Sequence, residues 1–227
     1  MKYRRLGRTG ERVSVIGLGT WQFGGEWGRS FSVRDVDAVV KTARECGINL
    51  IDTAECYGSH LSESLIGRCL GDRGDWFLAT KFGHAFHGFM DRSQCWSPKE
   101  VQRQLEDSLR ALRTDHVDLY QFHSGTDEAF NQEELWSMLR RKVEQGLIRH
   151  LGVSVSRSIS MRQIEYATGV GAEVIQIVYN RIERQAEERA LPECLEQDLG
   201  VLARVPLASG FLSGKYAPGA TFGPTDV

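Results

Sequence analysis

An α/β fold is predicted by three features of the sequence: short runs rich in Val, Ile and Leu, longer segments of helical periodicity between them, and capping residues at the helix starts. This alternation is the pattern of parallel strands joined by crossover helices. Strands are expected near Val13 to Gly17, Ile48 to Asp52, Trp76 to Lys81, His116 to His123, Ile148 to Val155, Glu173 to Asn180 and Val201 to Leu207. Ahead of them, Lys2 to Leu6 and Arg12 to Ile16 flank Gly7-Arg8-Thr9-Gly10, which reads as a hairpin overlapping the first strand. Ser32 caps a helix carrying Val36, Val39, Val40 and Ala43 and closed by Gly47. Ser97-Pro98-Lys99-Glu100 places a capping hydroxyl, a first-turn proline and a third-position glutamate ahead of Val101, Leu105, Leu109 and Leu112. Further helices are expected over Glu63 to Leu70, Glu133 to Gln145, Ser160 to Thr168 and Glu187 to Leu199, the last with Pro192 in or near its start. Two architectures accept such units, an open doubly wound sheet and a closed (β/α)8 barrel.

The composition agrees with one globular domain over residues 1–227: 41% of residues are hydrophobic, 26% charged and 9% aromatic. Lys plus Arg number 28 against 30 Asp plus Glu, a net charge of -2, and no basic run offers a track for phosphates. Nucleic acid is therefore not expected as a partner. No apolar run is long enough to span a bilayer and Met1 to Gly7 is too charged for a signal peptide's apolar segment, so the expectation is a cytoplasmic protein without membrane partners. Five widely spaced cysteines, Cys46, Cys56, Cys69, Cys95 and Cys194, read as reduced thiols.

Common nucleotide signatures fail. Gly17-Leu18-Gly19 follows an apolar run, but Gln22 stands where a dinucleotide fingerprint needs its third glycine. Gly210-Phe211-Leu212-Ser213-Gly214-Lys215 has its glycines one residue too close for a phosphate loop, and Tyr216 replaces the Ser or Thr. His84 and His87 lack a neighbouring carboxylate or cysteine to complete a metal set, so no metal is expected.

Polar residues at successive strand ends give a positive signal. Asp52 ends one strand with Tyr57 five residues on, Lys81 ends the next, and His123 the one after. A barrel brings such ends together on one face. The four residue types suit proton transfer to a carbonyl oxygen. An ammonium beside a phenol favours its ionised form and lowers its pKa, a carboxylate holds the ammonium, and an imidazole donates to the oxygen gaining charge. Trp21, Phe23, Trp27, Phe82 and Phe86 suggest an apolar or aromatic wall on the same face.

Over nearly its whole length the chain resembles the aldo-keto reductases. The matching segments are Gly17-Leu18-Gly19-Thr20-Trp21, Asp52-Thr53-Ala54-Glu55-Cys56-Tyr57-Gly58 with Ser62-Glu63, Thr80-Lys81, Asp118 to His123, Gly152-Val153-Ser154, Gln176 with Tyr179-Asn180, and Val205 to Tyr216. The resemblance implies a (β/α)8 TIM-type barrel that binds NADPH, with NADH possible, without the dinucleotide fingerprint. It implies reduction of an aldehyde or ketone, with Tyr57 as general acid, Lys81 and Asp52 tuning it, and His123 orienting the carbonyl. It also implies cofactor contacts from Gly19, Thr20, Trp21, Asp52, Ser154, Gln176, Arg204, Val205, Leu207, Ser209, Gly210 and Lys215. Ser154 and Gln176 would hold the nicotinamide carboxamide, and Val205 to Lys215 the pyrophosphate. Two departures stand out: Val155 replaces the family's common Asn, and Arg204 stands where many members stack a tyrosine on the nicotinamide. A guanidinium plane also stacks on rings. Two other activities share these residues: a non-enzymatic NADP-binding regulatory subunit, and a barrel lyase forming a Schiff base on Lys81.

A (β/α)8 barrel typically takes ~250 residues. Here the seventh strand is followed by Ala217-Pro218-Gly219-Ala220-Thr221-Phe222-Gly223-Pro224, a loop composition. The expectation is a barrel whose eighth strand-helix unit is missing from the sequence, as part of a longer protein. The resemblance places the grip on the adenosine 2′-phosphate in that part, so weak binding and poor discrimination between NADP and NAD are expected of these residues alone.

Overall fold

The computed structural model describes residues 1–223 other than Asp72, Asp75 and Phe89; Pro224, the last residue of the expected terminal loop, lies outside them. In chain order the elements are β1 (Tyr3–Arg5), β2 (Arg12–Ser14), β3 (Leu18–Gly19), α1 (Val33–Glu45), β4 (Leu50–Asp52), α2 (Leu61–Cys69), β5 (Phe77–Phe82), β6 (His84–Gly88), β7 (Asp91–Gln94), α3 (Pro98–Leu112), β8 (Val117–His123), α4 (Asp127–Phe130), α5 (Glu133–Glu144), β9 (Ile148–Ser154), α6 (Met161–Glu165), β10 (Ala172–Val178), α7 (Ala190–Glu196) and β11 (Gly200–Arg204).

Seven parallel strands form the main sheet in the order β11-β10-β9-β8-β5-β4-β3. Each strand lies beside the next one in the chain, apart from the inserted β6–β7 hairpin, and the order never reverses. An open doubly wound sheet needs a reversal, so this is the sequential order of a (β/α)8 barrel. Among the described residues β3 and β11 are its two edges.

Strand parity sorts the side chains. Leu50, Phe77, Ala79, Leu119 and Val174 pack inside the curved sheet with Leu6 and Val13 of the N-terminal hairpin. Ile51, Leu78, Phe82, Tyr120, Phe122, Leu151, Val153, Ile175 and Ile177 face the helices in a larger core with Val36, Leu65, Leu105 and Trp136. Successive strand residues point to opposite faces, so Asp52, Lys81, Gln121, His123, Ser154 and Gln176 share the inner face with the first set.

Several boundaries differ from the sequence reading. Arg12–Ser14 pair with Tyr3–Arg5 in the hairpin, around a turn of 3-10 helix at Gly7–Thr9, and the first parallel strand is Leu18–Gly19. Val15 and Ile16 are exposed between them. The helix expected from Glu187 starts only at Ala190, which keeps Pro192 in the first turn, where its missing N–H costs no bond. The helix expected over Ser160 to Thr168 stops at Glu165 and passes through a 3-10 turn, Thr168–Val170, to Gly171 at φ 88°. Ser32 forms a full capping box with Asp35. Ser97 caps Glu100 N–H, but the Glu100 carboxylate accepts from Arg103 instead of reaching back. The β6–β7 hairpin was not anticipated, because its strands lack alternating apolar residues.

Candidate active site

Asp52 closes β4 and Lys81 lies one residue from the end of β5. Lys81 is 1% exposed. Its ammonium donates to Asp52 Oδ2 at 2.9 Å, to the Thr53 carbonyl at 2.7 Å and to the Tyr57 hydroxyl at 3.2 Å. Three acceptors satisfy an ammonium's three hydrogens. Burial opposes the charge, but Asp52 and Tyr57 outweigh it and the Lys81 pKa is raised.

The turn carrying Tyr57 is fixed by two glycines. Gly58 has φ 65°, and a Cβ there would lie 2.4 Å from the Gly24 carbonyl oxygen; a Cβ on Gly24 would lie 2.7 Å from the Tyr57 carbonyl carbon. Two backbones thus meet where side chains would separate them. The Tyr57 ring stacks on Trp21, with centroids 6.0 Å apart, and meets His123 edge-on at 6.3 Å. Burial pushes the Tyr57 pKa up to about 12, and the Lys81 charge pulls it down only in part. This corrects the simple expectation of a lowered phenol pKa: desolvation exceeds the field of the ammonium.

His123 ends β8. Burial, with Lys81 adding to it, holds its pKa well below the ordinary histidine value, so the ring is neutral. Its Nδ1 lies 3.7 Å from Cys56 Sγ. Burial, with the Glu55 charge, raises the Cys56 pKa, so the thiol keeps its proton.

Across the inner face, Gln176 Nε2 donates to Asp52 Oδ1 at 2.9 Å, and Ser154 Oγ donates to Gln176 Oε1 at 3.1 Å. Gln121 Nε2 also reaches Asp52 Oδ1, at 3.3 Å. Gln121 is fully buried and escaped the sequence reading, although it stands two residues before His123 and so on the same face. Thr20 Oγ1 donates to the Asp52 carbonyl at 3.0 Å, tying the end of β3 to that of β4.

Arg204 ends β11 and donates from Nη2 to the Val155 carbonyl at 3.0 Å. Val155, where the family commonly has Asn, is itself fully buried. Arg204 Nε is buried without a hydrogen-bond partner among the described residues. Beyond it, Val205, Ala208, Ser209 and Gly210 all have positive φ. Leu207, Ser209 and Lys215 are exposed in this segment. Of the expected aromatic wall, Phe23 and Phe82 belong to the core instead, at 5% and 0% exposure. Trp21 remains beside Tyr57, with Trp27 edge-on to it at 4.8 Å.

The fold and these segments invite comparison with known proteins. The sequence model of the Aldo/keto reductase family matches residues 15–226. The chain belongs to the aldo/keto reductase family. An aldo-keto reductase of Bacillus subtilis (strain 168) is 33% identical to it over all of this chain and 68% of its own length. A probable aldo-keto reductase of Glycine max is 32% identical over 93% of this chain. The chain spans 61% of the length of that relative. Among solved structures, the holo form of an aldo-keto reductase from Bacillus halodurans superposes with a TM-score of 0.85 at 31% identity, covering 97% of this chain and 72% of that one. A glycerol dehydrogenase from Gluconobacter oxydans superposes at 0.86 with 33% identity, covering 99% and 69%. The sequential seven-stranded sheet is thus the barrel sheet of an aldo-keto reductase. Among the described residues no helix is long and apolar enough to cross a membrane.

Proposed function

We propose that these residues form the reducing site of an NADPH-dependent carbonyl reductase. The observation that carries the reading is the buried Lys81 ammonium, within hydrogen-bond reach of both the Asp52 carboxylate and the Tyr57 hydroxyl at the inner ends of two neighbouring strands. Tyr57 holds a proton throughout the neutral range and passes it to the carbonyl oxygen of an aldehyde or ketone. Lys81 then stabilises the phenolate that remains. Asp52 keeps Lys81 charged and in place. A neutral His123 has one N–H. The protonated Cys56 thiol has a hydrogen to offer Nδ1, which leaves the ring hydrogen on Nε2 to donate to the same substrate oxygen.

The residues fit a dinucleotide. The unpartnered Arg204 Nε, the exposed Lys215 and the positive-φ residues Val205, Ala208, Ser209 and Gly210 suit an anion. Ser154 and Gln176 stand beside Asp52 where a carboxamide would exchange hydrogen bonds with them. On the same reading, Gly19, Thr20 and Trp21, at and just after the end of β3, and Leu207, Ser209 and Gly210, just after β11, would contact the cofactor. When bound, the reduced nicotinamide supplies hydride to the carbonyl carbon. The Bacillus halodurans neighbour is described in a holo form, which supports a bound cofactor in this fold.

Schiff-base chemistry on Lys81 needs a neutral amine, and three acceptors with a raised pKa keep this one charged. A non-enzymatic regulatory subunit would retain the same cofactor cleft but turn over no carbonyl.

The test is Tyr57→Phe, followed by carbonyl turnover and by NADPH and NADH titration of tryptophan fluorescence. Turnover should fall by about 10²–10⁴, while NADPH affinity stays within about three-fold because no proposed cofactor contact is removed. Equal loss of both would remove Tyr57 from the role of acid. Wild-type protein that binds NADPH yet reduces no aldehyde or ketone would favour the regulatory reading.

A further inference from the structure

Glu55, Cys56, His84 and His123 bring one carboxylate oxygen, one thiol sulfur and two imidazole nitrogens within 4.8 Å of one another. The sequence separates them by up to 68 positions and brings together only His84 and His87 as a candidate histidine pair. The fold breaks that pair: His87 Nε2 turns to Ser93 Oγ at 2.7 Å, while His84 turns inward to the loop after β4 and the end of β8. We infer that this cluster is a binding site for a borderline-soft divalent ion of the Zn²⁺ class.

Three observations beyond residue type support it. Glu55 is 3% exposed, and its Oε2 has no hydrogen-bond partner among the described residues. His84 Nδ1 is likewise buried and unpartnered, 3.7 Å from Glu55 Oε1 and too far to bond it. A buried carboxylate oxygen and a buried imidazole nitrogen, both unpartnered, are groups that a bound ion would satisfy. The spacing also suits such an ion. Tetrahedral zinc, with Zn–N about 2.0 Å and Zn–S about 2.3 Å, holds its ligand atoms roughly 3.3–3.5 Å apart. The Cys56 Sγ to His123 Nδ1 separation is 3.7 Å, and all four ligand atoms lie within 4.8 Å of one another.

The ligands are firmly held. The Glu55 carboxylate accepts from the His84 backbone N–H at 2.9 Å through Oε1, leaving Oε2 for the ion. His123 stands on a central strand and His84 begins β6. Charge balance is favourable. The positive groups acting on the cluster are Lys81 and Arg92, paired with Asp52 and Glu26 respectively, and Arg204, which acts on His123. On binding, the S–H bond of Cys56 breaks, its electron pair forms the sulfur–metal bond and the proton leaves to solvent. Glu55 and the thiolate then match a 2+ charge. An ion on His123 Nδ1 leaves the ring hydrogen on Nε2, so it stands behind the ring face proposed to meet substrate rather than in front of it.

Equilibrium dialysis of tag-free protein against Zn²⁺, and absorption spectra with Co²⁺ as the probe, decide the matter. One ion per chain and a near-ultraviolet thiolate-to-cobalt band are expected. Cys56→Ser should abolish the band, and His84→Gln should weaken Zn²⁺ binding by at least about tenfold. Cys46→Ser, at an exposed cysteine, should change neither. Absence of stoichiometric binding, a band that survives Cys56→Ser, or affinity indifferent to His84→Gln overturns the site. If Cys56→Ser does not fold, the His84→Gln affinity decides alone. Since no arm reads turnover, failure of the reductase reading and failure of this site remain distinct.

Discussion

At the scale of single residues, the buried Tyr57–Lys81 contact sets the chemistry of the proposed site. Desolvation and the ammonium act on the phenol in opposite directions, and desolvation wins, leaving the pKa at about 12. A general acid must be protonated before it reacts, so activity should persist well above neutral pH and fall only as Tyr57 ionises. Lys81→Met removes the positive charge that donates a hydrogen bond to the phenol and favours the phenolate. The variant should be nearly inactive, and the alkaline limb of its residual activity should move to higher pH. A pH–rate profile on both proteins checks this. High activity with an unmoved limb would show that Lys81 does not act on Tyr57.

Among the elements, α2 shows how helix and strand are joined beside the site. His60 precedes it at φ 64°, and its Nδ1 meets Glu63 Oε2 at 2.5 Å, while the other Glu63 oxygen accepts from Thr80 Oγ1 at 2.6 Å. Glu63 is fully buried. Burial opposes the His60 charge, but the hydrogen bond and charge of Glu63 outweigh it and the pKa is raised above 6.5. A raised folded-state value means that the pair stabilises the protein fully below the unfolded histidine pKa. That contribution disappears as pH rises through the folded value. Melting temperatures of wild type and His60→Gln should therefore differ most at about pH 5.5 and converge by about pH 8.5. A gap that is constant or grows with pH would contradict the assignment. The sequence places this helix over Glu63 to Leu70, two residues inside its actual start at Leu61, and its histidine lead-in is not legible, because a histidine at positive φ carries no capping signal.

On the scale of the whole molecule, the N-terminal hairpin plugs the end of the sheet away from the site. Leu6 is 3% exposed and packs with Val13, Leu50, Phe77, Leu119 and Val174. A Cβ on Gly200 would come within 2.7 Å of Leu6 Cγ, so β11 approaches the plug closely only because it begins with glycine. Leu6→Ala should lower unfolding stability by about 2–5 kcal/mol through lost burial and a residual cavity, as measured by urea denaturation. By contrast, Arg5 and Asp198 pair at 2.7 Å beside it with more than half of each side chain exposed, and Asp198→Asn should cost under about 1 kcal/mol. Comparable losses for the two variants would mean that the hairpin is held by charge rather than by packing.

By itself the sequence determined the alternation of strands and helices, the family, and Asp52, Tyr57, Lys81 and His123 as a group. Periodicity, caps and strand-end polar residues are local signals, carried within a few positions of the chain. Other features depended on distance. Phe23 and Phe82 read as site aromatics until packing placed them in the core, and Gln121 gained meaning only when β8 came beside Asp52. The sign of the Tyr57 pKa shift followed from burial, which no residue type encodes. His84 met Glu55, Cys56 and His123 only because β6 leaves the sheet at Gly83 and folds back over the strand ends. Desolvation and ligand geometry are properties of neighbours in space, and only the tertiary structure decides who those neighbours are.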